Sequence, residues 1–172
     1  MSGIGHLAAG FAAKPAAPKI PLWVCLAAAE INDLLYFLFA SIGLEQKAAM
    51  TMNFSEGVKY LTPASNPWSH GLFMSVVWSL VAVAVGQLVY RDRRSSLLLG
   101  AVVFSHWLLD FLMHSNLPLF FEGSPLVGLG LENSGAGFLF MTLFDLAILA
   151  AGITVYFRAK KRIAPDAGMS RQ

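Results

Sequence analysis

The chain has 172 residues, 56% of them hydrophobic and 13% charged, with a formal net charge of +2. Soluble domains average about 25% charged residues, so this composition excludes an ordinary water-soluble globule, and charge this sparse offers no nucleic-acid-binding face. The one cysteine, Cys25, excludes an intramolecular disulfide; it reads as a packed small hydrophobe rather than a metal ligand.

Residues 3–13 (GIGHLAAGFAA) are apolar and small but too short to cross a bilayer. They are expected to form an interfacial or re-entrant helix, with Gly3, Gly5, Ala8, Ala9 and Gly10 permitting close helix approach. Lys14, Pro15, Pro18, Lys19 and Pro21 then make a stiff basic turn. Stretches 21–43, 68–90, 96–116 and 136–157 each reach the ~20 apolar residues that a span requires. The expected fold is therefore an all-α membrane protein of four transmembrane helices plus the short N-terminal helix. It forms one domain over 1–162, followed by a disordered polar tail at 163–172. No basic segment with a short apolar run opens the chain, so a cleavable signal peptide is not expected.

Between the spans, loop 44–67 mixes Glu45, Gln46, Lys47, Glu56 and Lys59 with apolar residues, which predicts a short interfacial helix. It ends in Ser65-Asn-Pro-Trp-Ser-His70, where Ser65 or Asn66 can cap a helix and Pro67 suits its first turn. Loop 115–135 is rich in Gly and Pro but also in Leu and Phe, and is expected to fold back over another part of the chain, a lid over a site being one option. Asn133 or Ser134 can cap the fourth span. Lys14, Lys19, Arg91, Arg93, Arg94, Arg158, Lys160, Lys161 and Arg162 fall at one set of span ends. The positive-inside rule makes both termini and loop 91–95 cytoplasmic.

The third span carries His106, Asp110 and His114, and four-residue steps put all three on one helix face. A charged group at such a position costs about 2.5–3.5 kcal/mol on insertion scales, a cost that a partner, a proton path or a metal ion offsets. A helical rise of ~1.5 Å places Glu30 and His106 about 14 Å from the inner edge, Asp33 about 18 Å and Asp110 about 20 Å. His6 on a re-entrant helix falls about 12 Å in. His70 and His114 lie farther out, His70 about 13 Å from His106 along the normal unless the second span tilts or its start at Ser69 unwinds. Imidazole nitrogen and carboxylate oxygen at matching depth are ligands for a divalent cation such as Zn²⁺, Mn²⁺ or Fe²⁺. The candidate metal ligands are His6, Asp33, His70, His106 and Asp110. Asp145, isolated on the fourth span, is expected to support the site indirectly or to pack helices.

The ordered set His6-Leu-Ala-Ala-Gly10, Asn32-Asp-Leu-Leu35, Ser69-His-Gly71 and His106-x-x-x-Asp110 resembles the membrane-bound, predicted metal-dependent hydrolase family of bacteria and archaea. Two positions depart from its pattern: Asn32 stands for a proline and Leu35 for a second aspartate, which removes a ligand for any second metal there. The order His, Asp, His, His-x-x-x-Asp is also similar to the ligand order of zinc-dependent phospholipase C. The resemblance implies a prokaryotic inner-membrane protein with a divalent metal, zinc first.

The function expected is hydrolysis of a phosphoester or lipid-like substrate by a water activated on the metal. Glu30 is the candidate general base, and His114 a further ligand or proton carrier. Membrane lipids and a small or lipid-like substrate are the expected partners, and nucleic acid is not. Three alternatives use the same buried groups. One is a proton- or ion-coupled transporter or channel subunit. Another is a haem protein with His70 and His114 as axial ligands. The last is a structural protein whose polar stripe packs helices.

Overall fold

The computed structural model describes residues 3–46, 50–53, 57–60, 66–133 and 136–163, with the backbone alone at 50–53 and 57–60. Helix α1, Leu7–Ala13, runs into a 3-10 turn at Lys14–Ala16, where Pro15 ends the α-helical ladder. Helices α2, Leu22–Ala29, and α3, Ile31–Ser41, follow. A short antiparallel pair, β1 at Met50–Asn53 and β2 at Gly57–Tyr60, lies within the first long connection. The four-residue helix α4, Pro67–His70, precedes the long helices α5, Leu72–Tyr90, and α6, Arg93–Met113. A small hairpin, β3 at Leu117–Pro118 and β4 at Leu126–Val127, and a 3-10 turn at Leu131–Asn133 lead to α7, Gly137–Ile163.

Helices α5, α6 and residues 139–162 of α7 are long and apolar enough to cross a membrane, which points to an integral membrane protein. The stretch expected as the first span is instead a bent pair: α2 and α3 pass the same test only together, and their axes differ by 57°. The break falls at Glu30, whose φ of −102° and ψ of 4° leave the helical region. Three spanning helices are thus present among the described residues, or four if the bent pair is one span.

Helix α6 is the central element, with half of its apolar window buried against 22% for α5 and 17% for α7. Arg91, in the left-handed region at φ 50°, reverses the chain between α5 and α6, and Asp92 caps α6 by accepting from the Ser95 backbone N–H. Near that turn Ala17, Ile20, Cys25 and Leu99 form a buried apolar cluster, so Cys25 is the packed hydrophobe its setting suggested. Glycine contacts clamp α1 between its neighbours: a Cβ on Gly10 would lie 2.7 Å from the Cys25 carbonyl oxygen, and one on Gly152 would lie 2.5 Å from that of Ala8. The outward faces of α5 and α7 carry Leu80, Leu88, Leu143 and Phe157, all more than half exposed, as a lipid-facing surface would.

The connections differ from expectation. Where loop 44–67 is described it contains the β1–β2 pair rather than an interfacial helix. Loop 115–135 does fold back: Phe73 N–H donates to the Leu119 carbonyl, Leu129 N–H to that of Phe111 and Gly130 N–H to that of His114. Asn133 sends its amide to Ser115 Oγ and lies in the 3-10 turn rather than at the start of α7. Ser65, Ser134 and residues 164–172 of the expected tail lie outside the described residues.

Candidate metal centre

Four elements deliver the polar side chains to one place. Helix α6 contributes His106 and Asp110, one turn apart and both fully buried. His114 caps its C-terminal end, where ψ turns to 156°. His6 stands just before α1, and Asp33 on the first turn of α3. His70 closes α4 and is separated from α5 by the extended Gly71, at φ −64° and ψ 143°. This unwinding corrects the depth estimate for His70. The histidine is not part of α5, so it turns into the bundle until its ring centroid is 5.3 Å from that of His106.

Asp110 is the hub. Its Oδ1 lies 3.3 Å from His6 Nε2 and 3.4 Å from His114 Nε2, while its Oδ2 lies 3.3 Å from His106 Nε2 and 3.5 Å from His70 Nε2. Asp33 Oδ1 is 3.2 Å from His70 Nε2 and 3.7 Å from His106 Nε2. The rings of His6 and His106 stack with centroids 3.6 Å apart and planes inclined by 9°. All five residues expected as ligands are thus brought together, and His114 joins them through Asp110. Two overlapping groups have ligand atoms close enough to share an ion, His6–Asp33–His106 and His70–His106–Asp110.

The far nitrogen of three imidazoles shows what the near one offers. His106 Nδ1 is 2.8 Å from the Ala29 carbonyl oxygen, the last of α2, which the bend at Glu30 leaves pointing at α6. A carbonyl only accepts, so Nδ1 carries the proton. His114 Nδ1 is 2.6 Å from Glu132 Oε1, a buried carboxylate that likewise only accepts. His70 Nδ1 is 2.8 Å from Ser69 Oγ. That hydroxyl donates its one hydrogen to Glu45 Oε2, 2.7 Å away, so it accepts from His70. In all three the Nδ1–H is anchored outside the cluster and the Nε2 faces in.

This arrangement fits a cation. Ligands bound at about 2.0–2.1 Å in a tetrahedron lie about 3.3–3.4 Å from one another, close to the 3.2–3.7 Å that separate the Nε2 atoms of His70 and His106 from the nearest oxygens of Asp33 and Asp110. His106 Nε2 is buried and makes no hydrogen bond among the described residues, although two carboxylate oxygens lie near it. The nitrogen thus faces those two oxygens, where a bound ion would satisfy all three atoms. His70 and His114 face the two oxygens of one Asp110 carboxylate.

Asp33 has the most accessible side chain of the cluster, at 31% against 18% for His114 and 12% for His70. One turn along the same face of α3 is Phe37, 68% exposed. Glu30 sits at the bend with Oε1 buried and without a hydrogen bond among the described residues. Asp145 is fully buried on α7. Sequence reasoning missed Glu45, Ser69 as a bonding group, and Glu132. Glu45 accepts from the backbone N–H groups of Trp68 and Ser69, both at 2.8 Å, and so caps α4 from a distant loop. A carboxylate at position 45 or 132 in a polar loop carries no signal of such a partner.

No family model matches the chain, and neither does any curated protein or solved structure. The support for the family resemblance is structural and coarse: buried His and Asp groups that can hold a metal ion, in a chain with membrane-spanning helices.

Proposed function

We propose that this protein is a membrane-embedded, metal-dependent hydrolase of a phosphoester or lipid-like substrate. The observation that carries the metal is the anchoring of three Nδ1–H groups outside the cluster with three Nε2 atoms turned in. Partners of this kind typically orient metal-binding histidines. Asp33, His70, His106 and Asp110 would hold the ion, with His6 against the hub carboxylate. Its chemistry, when bound, is Lewis acidity and a lowered pKa for water; zinc suits the nitrogen-rich set.

The chain's own groups divide the remaining work. Glu30, its buried oxygen without a hydrogen bond among the described residues, is the candidate to accept a proton at Oε1. His114, between Asp110 and Glu132, can pass a proton from the site to the outer carboxylate. The accessible edge at Asp33 continues into the exposed ring of Phe37, a surface suited to an amphiphile whose polar group meets the cluster while its chain stays in lipid. Elemental analysis of the detergent-purified protein tests the metal. About one or more equivalents of a divalent transition metal are expected, falling below one-tenth in His106→Ala. An unchanged content in that variant overturns the reading. Hydrolysis is then assayed on a phosphodiester and on a phospholipid, with and without chelator; chelator-insensitive turnover argues against a metal-dependent reaction.

A further inference from the structure

Glu45 has no part in the ligand set, yet it is buried and uses both oxygens on one short stretch of chain. Its Oε1 takes the Trp68 and Ser69 backbone N–H groups, and its Oε2 takes the Ser69 hydroxyl. The hydroxyl in turn accepts from His70 Nδ1. We propose that Glu45 is a positioning residue that, through Ser69, fixes the proton of His70 on Nδ1 and so keeps Nε2 turned to the cluster as an electron-pair donor.

A carboxylate accepts and cannot donate, so the single hydrogen of Ser69 must point to Glu45. Only the acceptor side of the hydroxyl is then left for His70, whose Nδ1 must bring the proton. Glutamine at position 45 keeps the Oε1 acceptor for the two backbone N–H groups, so α4 still starts at Pro67. Its amide, however, presents N–H where Oε2 stood. Ser69 Oγ then accepts from position 45, and its own hydrogen, released from Glu45, is free to turn to His70 Nδ1. The imidazole proton moves to Nε2, and the nitrogen facing Asp33 and Asp110 loses its lone pair. Removing the hydroxyl has a milder effect, because Ser69→Ala leaves Nδ1–H without a partner but does not reverse it.

The proton on Nδ1 follows from the hydrogen bonds alone, whereas a free lone pair on Nε2, 3.2 Å from the acceptor Asp33 Oδ1, also requires the cation of the proposed metal centre. Changing an outer partner of a metal-binding histidine typically costs about 10–100-fold in affinity. Glu45→Gln is expected at the upper end of that range and Ser69→Ala at the lower. In a Ser69→Ala background, Glu45→Gln should add little, because the relay is already cut. Nitrogen-15 NMR of labelled histidine reads the proton directly: on His70 Nδ1 in the wild type, and off it in Glu45→Gln.

If Nδ1 keeps its proton in Glu45→Gln, or lacks it in the wild type, the relay is overturned. Equal losses from Glu45→Gln in both backgrounds would also overturn it, since the effect would then bypass Ser69. A proton that moves as described in a protein that holds no metal supports the relay and removes the metal reading, so the two failures are distinguishable.

Discussion

The two ends of the helical bundle are held together by different physics. At the α5–α6 turn, Ala17, Ile20, Cys25 and Leu99 pack as an apolar cluster, and the polar contributions include the Asp92 cap, its pair with Lys19 3.5 Å away, and the Ser96 hydroxyl on the Asp92 carbonyl. At the opposite end, four histidines, Asp33 and Asp110 converge, ringed by Glu45, Ser69 and Glu132. Apolar packing is tolerant of exchange when volume is kept, whereas a buried polar network is costly if any member is left unpaired. On the proposed metal reading, the turn end is the persistent one and the cluster end the occupied one. A cation there would join groups that packing alone does not hold.

The largest effect should follow from the hub. Asp110→Asn keeps the shape but removes the charge that faces four imidazoles and turns one of the two acceptor oxygens, each facing two of them, into a donor. Metal affinity should fall by more than about 100-fold, beyond the ~10–100-fold lost with an outer partner. Elemental analysis measures this, and amide exchange at residues 88–98 should stay at the wild-type rate. Faster exchange at the turn would show that the two ends open as one unit and break the comparison.

A smaller effect lies between the ends. Gly152 of α7 touches the Ala8 backbone, so Gly152→Ala must push α1 aside. Overpacking of this kind costs about 1–3 kcal/mol, to be read as a lowered thermal midpoint in detergent. Because His6 immediately precedes α1, metal affinity should weaken in step. Lost stability with unchanged affinity would remove His6 from the site.

What the sequence made legible follows from helical geometry. The pair His106 and Asp110 shares a face by its spacing alone, and matching depth brought Asp33 and His6 to the same layer. The spans of α5, α6 and α7 were visible as apolar length. The bend at Glu30, which divides the stretch expected as one span, was hidden because it is a break in a regular helix. An unwound start to the second span was open to reading at Ser69; the structure puts the break two residues on, at the extended Gly71, and it carries His70 inward. Glu45 and Glu132 were hidden differently. Their partners are 24 and 18 residues away in the chain, and local patterning carries no information on such contacts.

The smallest effect belongs to the turn end and is the sharpest control. The hydrogen bond from Ser95, followed by the neighbouring Lys19, holds the Asp92 carboxyl below the usual aspartate range. A carboxyl with a depressed folded-state pKa contributes stability that is present above its unfolded value, about 3.9, and is lost as pH falls through the folded one. Asp92→Ala should therefore lower the thermal midpoint slightly at neutral pH, and the gap to the wild type should close as the solution is acidified past that range. Metal content at neutral pH should not change, because Asp92 caps the end of α6 remote from Asp110. A variant that lost metal along with its cap would mean that α6 transmits strain over its whole length, and the division between a persistent end and an occupied end would fail.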